Sequence, residues 1–291
     1  MKFNAQENTL FLKLLNFNSY SIAPTVILFK MKLIFFISIL LFTSCSNPYG
    51  EKSSTLIDLT YTLDSSTLFW PNNTSGFEHI LDFKGKTKKG YYYSSYKICT
   101  PEHGGTHLDA PIHFAEGKQS VEQIPLNNLC GEAIVIDISE SALANRDYLI
   151  SINDITNWEK TNGELPQKII ILFRTGYGKF YPKRKEYFGT ELKGDTAIPF
   201  LHFPGIDPKT AQWLVDNRSV KAIGIDVASI DYGQSTEFKT HQIFLGKNIP
   251  AFENLAQLDK LPFKGIYITA LPMKIGGGSG APLRIIAEIA K

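Results

Sequence analysis

The chain has 291 residues, 43% of them hydrophobic and 20% charged, and a net charge of +2. This hydrophobic content is typical of a globular protein with a full core. A charge so near balance argues against nucleic acid or an anionic surface as the main partner.

The N-terminal region has the pattern of a targeting segment. Met31-Lys32 precedes an apolar run over 33–42, which ends in small residues before Cys45. The run is shorter than the ~20 apolar residues that a membrane-spanning helix needs. The pattern is that of a signal peptide over 31–45 and resembles a bacterial lipoprotein signal, with a lipid on the Cys45 sulfur. An ordinary cleaved signal and an uncleaved anchor are the alternatives.

The rest of the N-terminal organisation follows from this segment. Residues 1–30 fit no targeting pattern, so translation is predicted to begin at Met31 and 1–30 to be a mis-assigned upstream extension. Residues 46–54 are polar and indicate a tether. One domain is predicted over 55–291, and a lipoprotein signal places it in the bacterial cell envelope, anchored to the membrane.

Two cysteines remain in the predicted domain, Cys99 and Cys130. An oxidising compartment permits a disulfide between them. Two free thiols fit the sequence equally well.

Hydrophobic patterns predict the secondary structure in chain order. Asp207-Pro208 is an N-cap followed by proline at the first helical position, which predicts a helix over 209–217. A second, short helix is predicted over 253–258. Strands are predicted over 56–60, 91–99, 133–138, 168–173, 220–226, 265–271 and 283–289. These elements together predict a mixed α/β domain with a βαβ-like unit around the first helix.

The segment from 102 to 114 contains three of the six histidines and reads Glu-His-Gly-Gly-Thr-His-Leu-Asp-Ala-Pro-Ile-His-Phe. His103, His107 and Asp109 offer the imidazole and carboxylate groups that bind Zn²⁺ and related divalent metals. Three protein ligands leave a position open for water, which is typical of a catalytic site. The alternative is a histidine-rich loop whose polar groups satisfy one another.

Two further features accompany this segment. His113 follows the three ligands, and its unperturbed pKa of ~6.5 suits a proton donor or acceptor. The glycine-rich stretch 276–280 lacks the GK[ST] ending of a phosphate loop, so a turn lining the pocket is predicted there.

The segment His-Gly-Gly-Thr-His-Leu-Asp-Ala-Pro-Ile-His-Phe resembles the signature of the cyclase family of metal-dependent hydrolases, which includes bacterial kynurenine formamidase and isatin hydrolase. Residues 202–206, 224–231 and 271–275 also match the family. The resemblance implies a swivelling β/β/α fold with a mixed sheet. It further implies hydrolysis of a linear or cyclic amide by metal-bound hydroxide, with His113 as the proton shuttle, in a homodimer or homotetramer.

The resemblance also assigns residues to the site. His103, His107 and Asp109 would hold a first ion, and His241 with Glu253 would complete a two-metal site. The ion would be zinc or manganese, with one or two per chain. Trp70 would stack on the substrate, although an ordinary core aromatic explains it equally well.

Two other functions are the alternatives to this hydrolase. The first is kynurenine formamidase proper, acting on N-formylkynurenine; the envelope signal argues against it. The second is a lipid-anchored protein that binds metal without turnover; His113 argues against it, because a pure binder needs no proton shuttle. A small-molecule amide or lactam is therefore the expected substrate.

Overall fold

The computed structural model describes residues 54–290. The predicted extension, the signal peptide and residues 46–53 of the tether lie outside this range. Within it, no helix is long and apolar enough to cross a membrane. Cys99 is exposed, Cys130 is partly buried, and both are free thiols.

The domain is a mixed α/β fold. Its strands are β1 (Ser54–Asp58), β2 (Glu78–Lys86), β3 (Tyr92–Cys99), β4 (His107–Asp109), β5 (Cys130–Asp137), β6 (Leu149–Ile150), β7 (Ile169–Arg174), β8 (Gly205–Ile206), β9 (Val220–Ile225), β10 (Ala251–Glu253), β11 (Ile266–Pro272) and β12 (Gly280–Ala290). Its helices are α1 (Leu126–Leu129), α2 (Ser139–Ala144), α3 (Ile152–Asn162), α4 (Arg184–Phe188), α5 (Pro208–Asn217) and α6 (Lys239–Leu245).

The main sheet closes into a barrel. Its order is β1-β12-β11-β5-β7-β9-β10-β4, and β4 pairs back onto β12. Closure is possible because β12 is long: Gly280 to Pro282 pair with β4, whereas the later residues pair with β1 on the same edge. Strands β5, β7, β9 and β10 run parallel, and the others are antiparallel.

Successive side chains of a barrel strand pack on opposite faces of the sheet, one inside the barrel and the next outside it. On β7, Ile170 and Leu172 belong to a buried cluster that draws on all seven strands of the closed barrel. Ile169, Ile171 and Phe173 point the opposite way, into a second cluster that includes residues of α3 and α5. Successive residues of a strand face opposite sides of a sheet, so a continuous apolar run is expected for a strand covered on both faces.

The predicted helix over 209–217 is confirmed as α5, with the expected cap. The Asp207 carboxylate accepts a hydrogen bond from the Lys209 amide at 2.8 Å, and Pro208 is the first helical residue. Strands β7 and β9 on either side of α5 are parallel neighbours, which confirms the βαβ unit.

The helix predicted over 253–258 is wrong. Ala251–Glu253 is strand β10, which pairs with β9 and β4. Asn254 and Gln257 have positive φ angles of 53° and 56°, which a right-handed helix does not contain. The sequence did not predict β2, β4 or α6 either. Of these, β4 and α6 carry residues of the site.

Candidate active site

The candidate site lies on the outer face of the barrel wall, where β4 and β10 meet. Leu108 and Phe252 point into the barrel, so their neighbours His107, Asp109 and Glu253 must point outward. His107 and Glu253 are direct cross-strand partners. His241 reaches the same place from α6. The structure thus brings together two parts of the chain that are far apart in sequence.

Four buried side chains converge there. The Nε2 atom of His107 lies 3.2 Å from Asp109 Oδ1 and 3.5 Å from Glu253 Oε2. The Nε2 atom of His241 lies 3.1 Å from Asp109 Oδ2 and 3.2 Å from Glu253 Oε1. All four residues are at most 4% exposed, so water does not solvate these two carboxylates. Buried carboxylates of this kind need a counter-charge.

Outer hydrogen bonds fix which nitrogen of each imidazole faces the cluster. The Nδ1 of His107 lies 2.9 Å from the Gly105 carbonyl oxygen, which can only accept. The Nδ1 of His241 lies 2.6 Å from a carboxylate oxygen of Asp231. Because Nδ1–H of each ring donates away from the cluster, Nε2 is the nitrogen that faces it, as metal-binding histidines require.

His103 joins the cluster through its other nitrogen. Its Nδ1 lies 2.6 Å from Asp109 Oδ1, and its Nε2 lies 3.0 Å from Ser279 Oγ. The Ser279 hydroxyl donates to Glu102 Oε2 at 2.6 Å, so its oxygen accepts from His103 Nε2–H. The Nδ1 of His103 therefore faces Asp109 and, when protonated, donates its proton to this carboxylate. A Cβ at Gly280 would clash with the His103 ring, so the close approach of this loop requires glycine.

The pKa values of the cluster depend on its two buried carboxylates, Asp109 and Glu253. Burial opposes the ionisation of Asp109, but His103, His107 and His241 hold its pKa well below the usual range. Burial, and then the charge of Asp109, raise the pKa of Glu253. Burial lowers the pKa of His107, yet Asp109 and Glu253 raise it overall to about 9. The negative charge of Asp109 and Glu253 therefore favours a proton or a cation at the Nε2 atoms of His107 and His241.

These donors fit a divalent metal. His103, His107 and Asp109 form one group, and Asp109, His241 and Glu253 form another, with ligand atoms in each group within 4.8 Å of one another. Imidazole nitrogens combined with carboxylate oxygens suit zinc and the metals near it. Asp109 belongs to both groups, so the arrangement has room for one ion or for two that share this carboxylate.

His113 stands beside the ligand cluster without belonging to it. Its ring stacks on that of His103 with centroids 3.8 Å apart, and among the described residues its nitrogens have no hydrogen-bond partner. Burial lowers its pKa to about 4. At neutral pH the imidazole is therefore uncharged, and its lone pair is available to accept a proton.

The cluster opens into a pocket of about 280 Å³. His113 and Trp70 both line it, and Trp70 also meets Phe203 edge-on with ring centroids 6.2 Å apart. Trp70 therefore lines the pocket and also packs against the core. This position is compatible with both predictions for Trp70, a substrate contact and a core aromatic. The other aromatic walls are Phe69, Phe114, Phe188 and Phe238.

The sequence did not predict the residues that hydrogen-bond to the ligand side chains from outside the cluster. Asp231 is buried and accepts hydrogen bonds from the His241 ring and from the His241 amide. Its only signal was a second aspartate in the stretch 224–231. Glu102 and Ser279 gave no signal as a pair, because 177 positions separate them in the chain. The predicted turn over 276–280 contacts His103 through Ser279.

Comparisons with known proteins agree with this geometry. The Cyclase family, described as "Putative cyclase", matches residues 57–232. Isatin hydrolase of Roseibium aggregatum is 31% identical over 198 residues, which cover 65% of this chain and 73% of that protein. Kynurenine formamidase of Salinibacter ruber is 28% identical, over 79% of this chain and 96% of that protein. Among solved structures, isatin hydrolase A from Labrenzia aggregata, bound to benzyl benzoate, has a TM-score of 0.73 at 28% identity, over 86% of this chain and 99% of that chain.

Proposed function

The chain belongs to the cyclase family and is a metal-dependent amidohydrolase, and we propose that it hydrolyses a linear or cyclic amide attached to an aromatic group. The observation that carries this proposal is a pocket with aromatic walls that opens directly onto five converging ligand side chains. Flat aromatic substrates fit such walls, because ring–ring contacts orient them at little entropic cost. The names of the relatives, isatin hydrolase and kynurenine formamidase, support the same class of substrate.

His103, His107 and Asp109 would hold a first divalent ion, zinc or manganese, and His241 with Glu253 would hold a second that shares Asp109. When bound, such an ion lowers the pKa of a water ligand towards neutrality and polarises a carbonyl oxygen. Asp231 and Ser279 would keep the ring nitrogens of His241 and His103 in the orientation that binding needs.

His113 would carry the proton. The uncharged imidazole accepts a proton from the attacking water and then delivers it to the amide nitrogen as the C–N bond breaks. Its position at the pocket wall, next to the ligands and with ring nitrogens that bond to no other described residue, supports this role. Trp70 would hold the aromatic part of the substrate so that its carbonyl carbon faces the cluster.

The test is a substrate screen combined with metal analysis on the purified full chain. We expect turnover of a cyclic aryl amide such as isatin or of a linear N-formyl aryl amide, with metal bound in proportion to activity. The variant His107→Ala should lose metal and turnover together, whereas His202→Ala, a partly exposed histidine paired with Asp147, should keep both. Full metal content and turnover in His107→Ala would contradict the site.

The relative rates in the same screen distinguish the two known activities. Faster hydrolysis of the ring amide places the chain with isatin hydrolases, and faster release of formate from N-formylkynurenine places it with the formamidases. Metal binding with no turnover of any amide would contradict the proposed reaction.

For the N-terminal segment, we propose a lipid anchor on Cys45 and a place in the cell envelope. The support is sequence alone: a basic start, an apolar run and small residues before the cysteine. Cys45→Ala should release the chain from the membrane fraction or leave its precursor unprocessed. Unchanged membrane association and mass would contradict a lipid on this sulfur.

A further inference from the structure

Asn254 lies directly after strand β10, next to Glu253, and lines the same pocket as the ligand side chains. It is buried, and it belongs to neither group of ligands. A buried carboxamide needs hydrogen-bond partners for its oxygen and for its nitrogen, because an unpaired polar group is costly away from water. The partners of Asn254 therefore indicate what this side chain does.

Hydrogen bonds to three residues hold Asn254 in place. Its backbone amide donates to the Val227 carbonyl oxygen at 3.0 Å, and its own carbonyl oxygen accepts from the Thr106 hydroxyl at 2.7 Å. Its side-chain oxygen accepts from the Tyr187 hydroxyl at 2.8 Å. The φ angle of Asn254 is 53°, a left-handed conformation in which asparagine is enriched. Both the backbone and the carboxamide oxygen are therefore fixed.

The bond to Tyr187 also determines which end of the carboxamide is free. Tyr187 is fully buried, and burial raises its pKa well above the usual range, so the phenol keeps its proton. The other acceptor near this hydroxyl, the Asp226 carbonyl oxygen, lies 3.5 Å away, which is too far for a good hydrogen bond. The proton therefore goes to Asn254 Oδ1. The Nδ2 atom of Asn254 has no hydrogen-bond partner among the described residues, so its N–H groups are available to a ligand in the pocket.

Resting on the proposed hydrolysis of an aryl amide, we propose that Asn254 donates an Nδ2–H hydrogen bond to the carbonyl oxygen of the scissile amide. As the oxygen of water bonds to the carbonyl carbon, the electron pair of the C=O bond moves onto this oxygen. It returns when the C–N bond breaks and nitrogen leaves with its own pair. A donor directed at the oxygen stabilises the charge that develops there.

Such a donor is most effective when it is oriented before the reaction begins. A hydroxyl such as that of Ser229, which also lines the pocket, can rotate about its C–O bond. The carboxamide of Asn254 is held by Tyr187 instead. Asn254 is thus a catalytic residue, and Tyr187 is a positioning residue that acts through it.

The first experiment measures kcat, KM and metal content for the full chain with formanilide, a linear N-formyl aryl amide. Asn254→Asp keeps the shape and the oxygen that accepts from Tyr187 but replaces the N–H donor with an oxygen. Asn254→Gly removes the side chain and suits the left-handed backbone. In both variants kcat should fall by roughly 10²–10³, the usual cost of removing one such donor, while metal content stays close to wild type.

Matched controls separate this role from a structural one. Asn248 has a φ angle of 56° and lies outside the pocket, so Asn248→Asp and Asn248→Gly should keep wild-type kcat. Tyr187→Phe should lower kcat by roughly 10-fold without loss of metal, about the worth of one hydrogen bond. Tyr148→Phe removes a hydroxyl that bonds to Asp154 outside the pocket and should have no effect.

Three results would overturn the proposal. The first is wild-type kcat in Asn254→Asp, since this variant has lost the donor. The second is a rise in KM at unchanged kcat, which would make Asn254 a residue that binds the ground state only. The third is loss of metal in both Asn254 variants, which would make Asn254 a support for Glu253.

The second experiment needs no turnover and so separates this proposal from the proposed reaction. Phenylphosphonate presents tetrahedral, negatively charged oxygens that resemble the charged carbonyl oxygen. Calorimetry on the zinc-loaded chain should show that Asn254→Gly weakens its binding by roughly 10-fold or more, whereas Asn248→Gly leaves it unchanged. Equal affinity in Asn254→Gly and wild type, or no binding to wild type, would overturn the donor role. A clear difference in a chain that hydrolyses no amide would keep the donor and reject the reaction.

Discussion

At the scale of single residues, a substitution at His113 distinguishes proton transfer from metal binding. His113→Gln keeps a polar side chain of similar length but removes the titrating nitrogen. We expect metal content to stay close to wild type, because the ligand atoms belong to other residues. The rate of amide hydrolysis should fall by roughly 10²–10⁴, the usual contribution of general acid–base catalysis. Steady-state kinetics and metal analysis on one preparation measure both quantities.

The leaving group provides the control for this variant. An amide nitrogen leaves poorly unless it is protonated, whereas an activated ester does not need the proton. The ester should therefore lose much less rate than the amide in His113→Gln. Loss of metal would make His113 a ligand, and equal losses for ester and amide at full metal content would make it a substrate-positioning residue.

Ser279 tests the hydrogen bonds behind His103. Its hydroxyl joins His103 Nε2 to the Glu102 carboxylate, so Ser279→Ala releases the His103 ring to rotate or to change tautomer. Loss of such an outer partner typically costs 10- to 100-fold in metal affinity. Titration of the metal-free chain with Zn²⁺ measures the effect, and Ser75→Ala, an exposed serine, is the control. An unchanged affinity would show that His103 binds no metal or needs no support.

At the scale of elements, the sequence predicts a strand or helix wherever the residues of that element carry the signal themselves. The apolar runs of β5 and β7 and the capped start of α5 were predictable, because burial on both faces and the Asp207 cap leave local signals. Strand β10 was mistaken for a helix because three residues are too few to show a period. Its strand character comes from pairing with β4 and β9, which are distant in the chain.

The same distinction holds for the site. One segment contains His103, His107, Asp109 and His113, and that local density made them predictable. His241 and Glu253 were identified only through resemblance to a family, because a lone histidine or glutamate has no pattern of its own. Ser279 lies far from this segment in sequence and reaches His103 only when the barrel closes.

Asp226, just after β9, links the ends of two parallel strands and carries a pH dependence. Its carboxylate accepts hydrogen bonds from the Thr175 amide at 2.7 Å and from the Gly176 amide at 3.0 Å, both just after β7. Burial nevertheless raises its pKa from 3.8 to about 6. The folded state therefore binds more protons than the unfolded state between these values, and stability falls as pH rises through this window.

The predicted cost is fully present above pH ~6 and absent below ~4, and amounts to about 3 kcal/mol for a shift of about two pKa units. Asp226→Asn does not ionise, so its free energy of unfolding should lack this fall. Urea unfolding of both proteins between pH 4 and 7.5, with a chelator present, measures the difference. Parallel pH profiles would show that Asp226 has an ordinary pKa.

At the scale of the whole molecule, the ligand cluster lies at the seam of the barrel. Strand β4 closes the sheet by pairing with both β10 and β12, and His107 and Asp109 are part of this strand. Glu253 lies across the seam on β10, and His241 joins from α6. An ion held by these residues would therefore connect β4, β10 and α6 at the point where the sheet closes.

We expect metal binding to stabilise the fold as a whole. A ligand at 100 times its Kd adds about 2.7 kcal/mol when only the folded state binds it. For a domain of this size, each kcal/mol raises Tm by about 2–4 °C, so saturation with Zn²⁺ or Mn²⁺ should raise Tm by about 5–10 °C over the chelated chain. Calorimetry with chelator and with added metal measures this shift. His107→Ala should show little or no shift, whereas His202→Ala should show the full one. A shift of equal size in His107→Ala would place the stabilising ion elsewhere in the chain, and no shift in the wild type would mean that the seam holds its buried carboxylates without a metal.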